Sequence, residues 1–160
     1  MRERGFTLTE VLLAIVVMAL GLLGLANLQF RSLRANQDAY HTSQAAFLAE
    51  EILERMRGNP GQALAGRYDL NYGATEPAPV NCVGNSQTCT PEQLRAYDLS
   101  DWIATVAQRL PAGAGAISTT PGPAANAQVI IRLRWENRLR WAGPTIGDES
   151  TTEFRFDAVL

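Results

Sequence analysis

The chain has 160 residues, about one domain's worth. Its 46% hydrophobic and 19% charged residues exclude a disordered or collagen-like polypeptide. All 14 basic residues are Arg against 16 acidic ones, and there are two Cys and one His; the net charge of -2 argues against wholesale coating of nucleic acid, and the Cys and His count argues against a multi-ligand zinc site.

Much of the apolar content falls in the first 30 residues. Residues 11–30 carry no formal charge. As a helix they would span about 30 Å, enough to cross a bilayer. The flank before them, Met1-Arg2-Glu3-Arg4-Gly5, has two Arg against one Glu. Such a basic flank stays in the cytoplasm, which puts the rest of the chain outside it. A cleavable secretory signal is the rival reading. Its apolar core is about 7–15 residues and ends at a small-x-small site. Here the apolar run is longer and passes into a helical pattern without a break.

Glu10 stands at the mouth of the apolar run. One reading is a capping box, since Thr7-Leu8-Thr9-Glu10 has the T-x-x-E pattern. The other is a functional carboxylate awaiting a positive partner inside the membrane. The neighbouring residues favour the second. Gly5-Phe6-Thr7-Leu8-Thr9-Glu10, after a basic leader and before an apolar run, resembles the type IV prepilin signature. Thr9 departs from it, because an aliphatic residue is commoner there. The resemblance implies cleavage after Gly5 by a membrane-embedded prepilin peptidase and N-methylation of Phe6. Loss of residues 1–5 would leave a side-chain charge of -3. The resemblance also implies that Glu10 attracts the N-terminal amine of a neighbouring subunit. A carboxylate and an ammonium attract far more strongly in low dielectric than in water.

No Pro interrupts residues 1–59, so one unkinked helix is expected over residues 6–58, about 80 Å long. Gly21 and Gly24 are either a close-approach point for another helix or merely small. Beyond Phe30 the helix turns amphipathic. Ala45, Ala46, Leu48, Ala49, Ile52, Leu53 and Met56 make one broad face. Glu51 and Arg55 stand at i, i+4. Leu33, Tyr40 and Phe47 recur every seven residues on the other side, a candidate stripe for packing against neighbouring subunits; partly exposed apolar residues are the alternative. Gly58-Asn59-Pro60 is a stop signal. Residues 21–36 and 55–60 narrow the likeness. They resemble the first helix of PilV-type minor pilins, with its G-L-L-G-L-A run and its R-M-R-x-N-P close.

Residues 59–160 are expected to form a small head facing the periplasm. Residues 59–90 read as extended loop, rich in Gly, Pro, Asn and Thr. Cys82 and Cys89 lie in it, and an oxidising compartment favours a disulfide over two free thiols. Thr90-Pro91-Glu92-Gln93 starts a helix that ends at Leu110-Pro111. A short strand is expected around residues 116–119. Val129, Ile131, Leu133 and Trp135 alternate with polar residues, as do Phe154, Phe156, Ala158 and Leu160, giving two half-buried strands.

The fold class is therefore α+β: a long N-terminal helix packed on a small antiparallel sheet, the type IV pilin fold that the resemblance implies. Its parts are a leader at 1–5, a helix at 6–58 (6–30 membrane-spanning, 31–58 periplasmic) and a head at 59–160. Arg132, Arg134, Arg138 and Arg140, with Trp135 and Trp141 among them, are the only candidate DNA-binding patch. A solvated strand face is the stronger alternative, and a nucleic-acid partner is not expected. No nucleophile elbow, phosphate loop or metal-ligand spacing is present, so no catalytic residue, metal, cofactor or small-molecule substrate is expected.

The reading is a minor pilin that helps to initiate, assemble or modify type IV pili. Its implied partners are other minor pilins, the major pilin and the prepilin peptidase. It would sit in the inner membrane with its head in the periplasm, and then in the fibre, its tip or its base. A minor pseudopilin of type II secretion is the alternative, and a single-pass anchored binding module is the distant one.

Overall fold

A computed structural model describes residues 7–74, 78, 81–83, 88–123, 126–136 and 151–160. The elements are α1 (Leu8–Gly58), α2 (Pro60–Leu64), α3 (Pro91–Arg109), β1 (Ala114–Pro121), β2 (Ala127–Glu136) and β3 (Thr151–Val159). Two compact units divide the chain, Met1–Ala39 and Tyr40–Leu160, so the boundary falls inside α1.

The first unit is the N-terminal part of α1. Its start is a capping box: the Thr7 N–H donates to Glu10 Oε2 at 3.2 Å and the Glu10 N–H to Thr7 Oγ1 at 3.4 Å. Beyond it every large apolar side chain from Val11 to Phe30 is exposed, between 48% and 68%. Nothing within the unit buries this surface. Among the described residues, α1 is the one helix long and apolar enough to cross a membrane.

The second unit holds the core. Ala45, Leu48, Ala49, Ile52, Leu53 and Met56 of α1 are buried, with Leu99, Trp102 and Val106 of α3 and the inner face of the sheet. The expected face thus holds, except that Ala46 is only half-buried. α3 begins in a full capping box. The Gln93 N–H donates to Thr90 Oγ1 at 3.3 Å, and the Thr90 N–H donates to Gln93 Oε1 at 2.9 Å. Pro91 fills the first helical position, where no N–H is needed.

The sheet is antiparallel throughout, in the order β1-β2-β3. Val129, Ile131, Leu133 and Trp135 of β2 face the core and are buried. Phe154, Phe156, Ala158 and Leu160 of the third strand and its end pack on the same core but stay half-buried. Gly115 of β1 lies beneath Trp102, where a Cβ would come within 2.4 Å of the indole ring.

Two expectations need correction. Residues 59–90 are not loop alone, because α2 starts at Pro60 directly after α1 ends. The Asn-Pro that stops one helix also supplies the proline that opens the next. The first strand is also longer than residues 116–119, since β1 extends from Ala114 to Pro121 against β2.

Candidate assembly surfaces

The first surface is the N-terminal unit. Gly5 and Phe6, the expected cleavage and methylation residues, lie outside the described residues. Glu10 is described, and its carboxylate serves the capping box, also accepting from Thr7 Oγ1 at 3.2 Å. The capping and the functional readings of Glu10 are therefore compatible. The cap holds the carboxylate at the mouth of an exposed apolar helix.

The second surface is the outward side of α1 within the second unit. Tyr40 is 60% and Phe47 61% exposed, while the buried residues of the same helix face the core. Leu33, the first residue of the expected stripe, is likewise 60% exposed in the first unit. Tyr40 packs edge-on against His41, with ring centroids 5.6 Å apart.

A partly buried polar network, with Asn59, Tyr68 and Asp98 at its buried end, holds this part of the helix to the head. Arg55 donates to Glu51 at 2.5 Å and to Asp101 at 2.6 Å, with Asp98 at 3.8 Å. Asp98 accepts from the Tyr68 hydroxyl at 2.7 Å. Asn59 donates to Tyr68 Oη at 3.3 Å and to the Pro91 carbonyl at 2.8 Å. Burial pushes the Asp98 carboxyl above its usual range, against the opposing pull of Tyr68 and Arg55. Burial and the bond to Asp98 likewise push the Tyr68 hydroxyl up. The sequence shows Glu51 with Arg55 by spacing alone. It gives no sign of Asn59, Tyr68, Asp98 or Asp101, because their meeting depends on the tertiary fold.

The third surface is the outer face of the sheet. Arg134 lies 4.3 Å above the Tyr72 ring centre and Arg132 5.8 Å from it. Tyr72 donates to Glu153 at 3.0 Å. Burial, then this bond to the Glu153 carboxylate, pushes the Tyr72 hydroxyl up to about 12. Two of the four candidate DNA-binding Arg are thus stacked on Tyr72 beside a carboxylate. Trp135, on the inward side of the strand alternation, is buried in the core. Arg138, Arg140 and Trp141 lie outside the described residues. Farther along the same face Arg155 and Asp157 pair at 2.8 Å. Their hydrogen bond raises the guanidinium and lowers the carboxyl.

Cys82 and Cys89 form a disulfide, with Cα atoms 5.8 Å apart. Among the described residues no cluster of three or more His, Cys, Asp or Glu side chains is arranged to hold a metal.

Comparison with known families adds two matches. Residues 1–26 match the prokaryotic N-terminal methylation motif. Residues 27–100 match the family described as type IV pilin Tt1218. No curated protein and no solved structure matches the chain. The two matches meet end to end over the exposed apolar helix, its amphipathic continuation and the start of α3. With the long N-terminal helix and the three-stranded antiparallel sheet, they make the chain a type IV pilin.

Proposed function

We propose that the protein is a minor pilin of the PilV type, which takes part in initiating, assembling or modifying type IV pili alongside other pilins. The observation that carries this reading is the exposed apolar surface from Val11 to Phe30 beneath the methylation motif. Exposing so much apolar surface to water is costly, so it must be covered, first by lipid and then by neighbouring helices. The role is structural, and no catalytic residue is assigned. Gly5 and Phe6 mark the processing site, and Glu10 draws the amine of the neighbouring subunit. Leu33, Tyr40 and Phe47 pack against adjacent helices.

The minor rather than major assignment rests on the first-helix resemblance at residues 21–36 and 55–60. Arg55 and Asn59 of that second stretch belong to the polar network that fixes the head. Intact mass and N-terminal sequencing of the protein from its native membrane test the reading. A chain starting at N-methylated Phe6 is expected. Deleting its gene should cut the number of surface fibres, and a filament-free defect confined to protein secretion would instead point to a pseudopilin.

A further inference from the structure

The apolar run of α1 ends in a polar stripe. Between Val11 and Phe30 the only polar side chains are Asn27 and Gln29, both among the last four positions. Arg31 and Arg34 follow directly. Asn27, Arg31 and Arg34 stand at i, i+4 and i+7 of the helix, so the three share one side. Leu33 lies on another side, which keeps this stripe apart from the one assigned to subunit packing. Both Arg are exposed. Neither has an ion-pair or side-chain hydrogen-bond partner among the described residues, Asp38 one turn farther on included.

Their spacing from Glu10 matches a bilayer. At about 1.5 Å per residue, Arg31 lies about 32 Å along the helix from Glu10, and Arg34 about 36 Å. The hydrocarbon core is about 30 Å thick, and headgroups bring the bilayer to about 40–45 Å. With Glu10 at one boundary, Arg31 falls at the other and Arg34 a turn beyond it, within the headgroup layer. Helical side chains lean toward the helix N-terminus, here back toward the bilayer. The Arg stems therefore lie along the last apolar turn, with the guanidinium groups among the headgroups.

The chemistry of that layer suits them. A guanidinium presents its donors as a planar fork that grips phosphate oxygens in pairs. The other end of the run loses its own cations on maturation, because cleavage after Gly5 would remove Arg2 and Arg4. Arg31 and Arg34 are then the only basic side chains next to the apolar run. The electrostatic hold on anionic headgroups passes to their end alone.

We propose that Arg31 and Arg34 bind phospholipid phosphate at the far end of the apolar run, and so fix the depth at which Glu10 meets the opposite boundary. The inference rests on the membrane-spanning part of the reading above. A helix that slid by one turn would carry Glu10 about 5 Å off the boundary.

The test is solid-state NMR of the full-length chain in bilayers of phosphatidylcholine and phosphatidylglycerol. Lipid phosphorus should dephase the signals of Arg guanidinium carbons, and part of that effect should vanish in the R31Q/R34Q double variant. Read as a difference from wild type, the loss is insensitive to the other Arg residues. The chain should also prefer vesicles containing phosphatidylglycerol to those of phosphatidylcholine alone. Arg31→Gln and Arg34→Gln should each lower that preference roughly fivefold, equivalent to about 1 kcal/mol per Arg near an anionic surface. R31K/R34K, which keeps both charges, should retain most of it. The urea midpoint should stay put in all variants, since both side chains are exposed. Dephasing that is absent, or unchanged in R31Q/R34Q, would overturn the proposal. So would guanidinium groups that contact a carboxylate of another pilin in place of phosphate. Alkaline carbonate extraction reports separately on the reading beneath. A chain stripped from the vesicles does not span them, and both ideas fall; an integrated chain without the dephasing removes this one alone.

Discussion

Trp102 donates its indole N–H to the main-chain oxygen of Leu48 at 2.8 Å, so the largest side chain in the core ties α3 to α1 by one directed bond. Leu48 and Trp102 are both fully buried, which shelters the bond from water. Gly115 packs against the opposite side of the same ring.

Changing either partner of this contact should loosen the head. Trp102→Phe removes the donor and is expected to cost about 1–2 kcal/mol beyond lost packing. Gly115→Ala forces a methyl into the indole and should cost about 1–3 kcal/mol. The double variant should be less destabilised than the sum, because Phe vacates the space that the new methyl needs. Urea midpoints of the four proteins in detergent would give the coupling.

Asp98 makes the stability of the head depend on acid. Its folded pKa lies above the ordinary carboxylate value, chiefly through burial. The native state therefore holds this proton more tightly than the unfolded chain does. The stability gained from the protonated form is complete below the unfolded pKa of about 4 and is lost as pH rises through the folded value. Wild type should lose stability relative to Asp98→Asn over that window, with a flat difference above it. Wild type gaining stability relative to Asp98→Asn as pH rises would mean that the Arg55 pairing outweighs burial.

Reducing the Cys82–Cys89 bridge should lower stability by about 2–3 kcal/mol on the chain-entropy estimate for a short loop. Denaturation with and without reductant, repeated on a Cys82→Ser/Cys89→Ser protein, would show it. The reductant should have no effect on the double variant.

Tyr40→Ala and Phe47→Ala remove exposed rings, so the thermal midpoint should move by less than about 0.5 kcal/mol in equivalent stability. Incorporation into sheared filaments should nevertheless fall. Glu10→Gln should leave processing at Gly5 intact while reducing incorporation. Normal incorporation of all three variants would remove the assembly role assigned to these residues.

The outer sheet face is expected to give no salt-dependent band shift with single-stranded or duplex DNA. Arg132 and Arg134 are engaged on Tyr72, beside Glu153. A shift that weakened steeply with salt and was lost in Arg134→Ala would reverse this.

The elements were legible where a local rule governs them. Thr90-Pro91-Glu92-Gln93 gave the start of α3, and the alternation around Ile131 and Phe156 gave two strands with the right faces inward. The contacts of Tyr68 and Asn59 were hidden because neither has an apolar period, and each is buried only through partners 9 to 32 residues away in the chain. Tyr72 was hidden for the same reason. The sequence left the basic run around Arg134 without partners, because Tyr72 and Glu153 come from segments far away in the chain.

The cap at the N-terminus changes what joining a fibre would involve. Glu10 already accepts from the main-chain and side-chain groups of Thr7. Both bonds end on Oε2, and a carboxylate has acceptor sites left on its second oxygen, Oε1, for an incoming amine. Docking would then add to the cap instead of breaking it, with the first turn of the helix holding the receiving carboxylate in place. Thr7→Val would release that hold, weakening the helix start and subunit entry together.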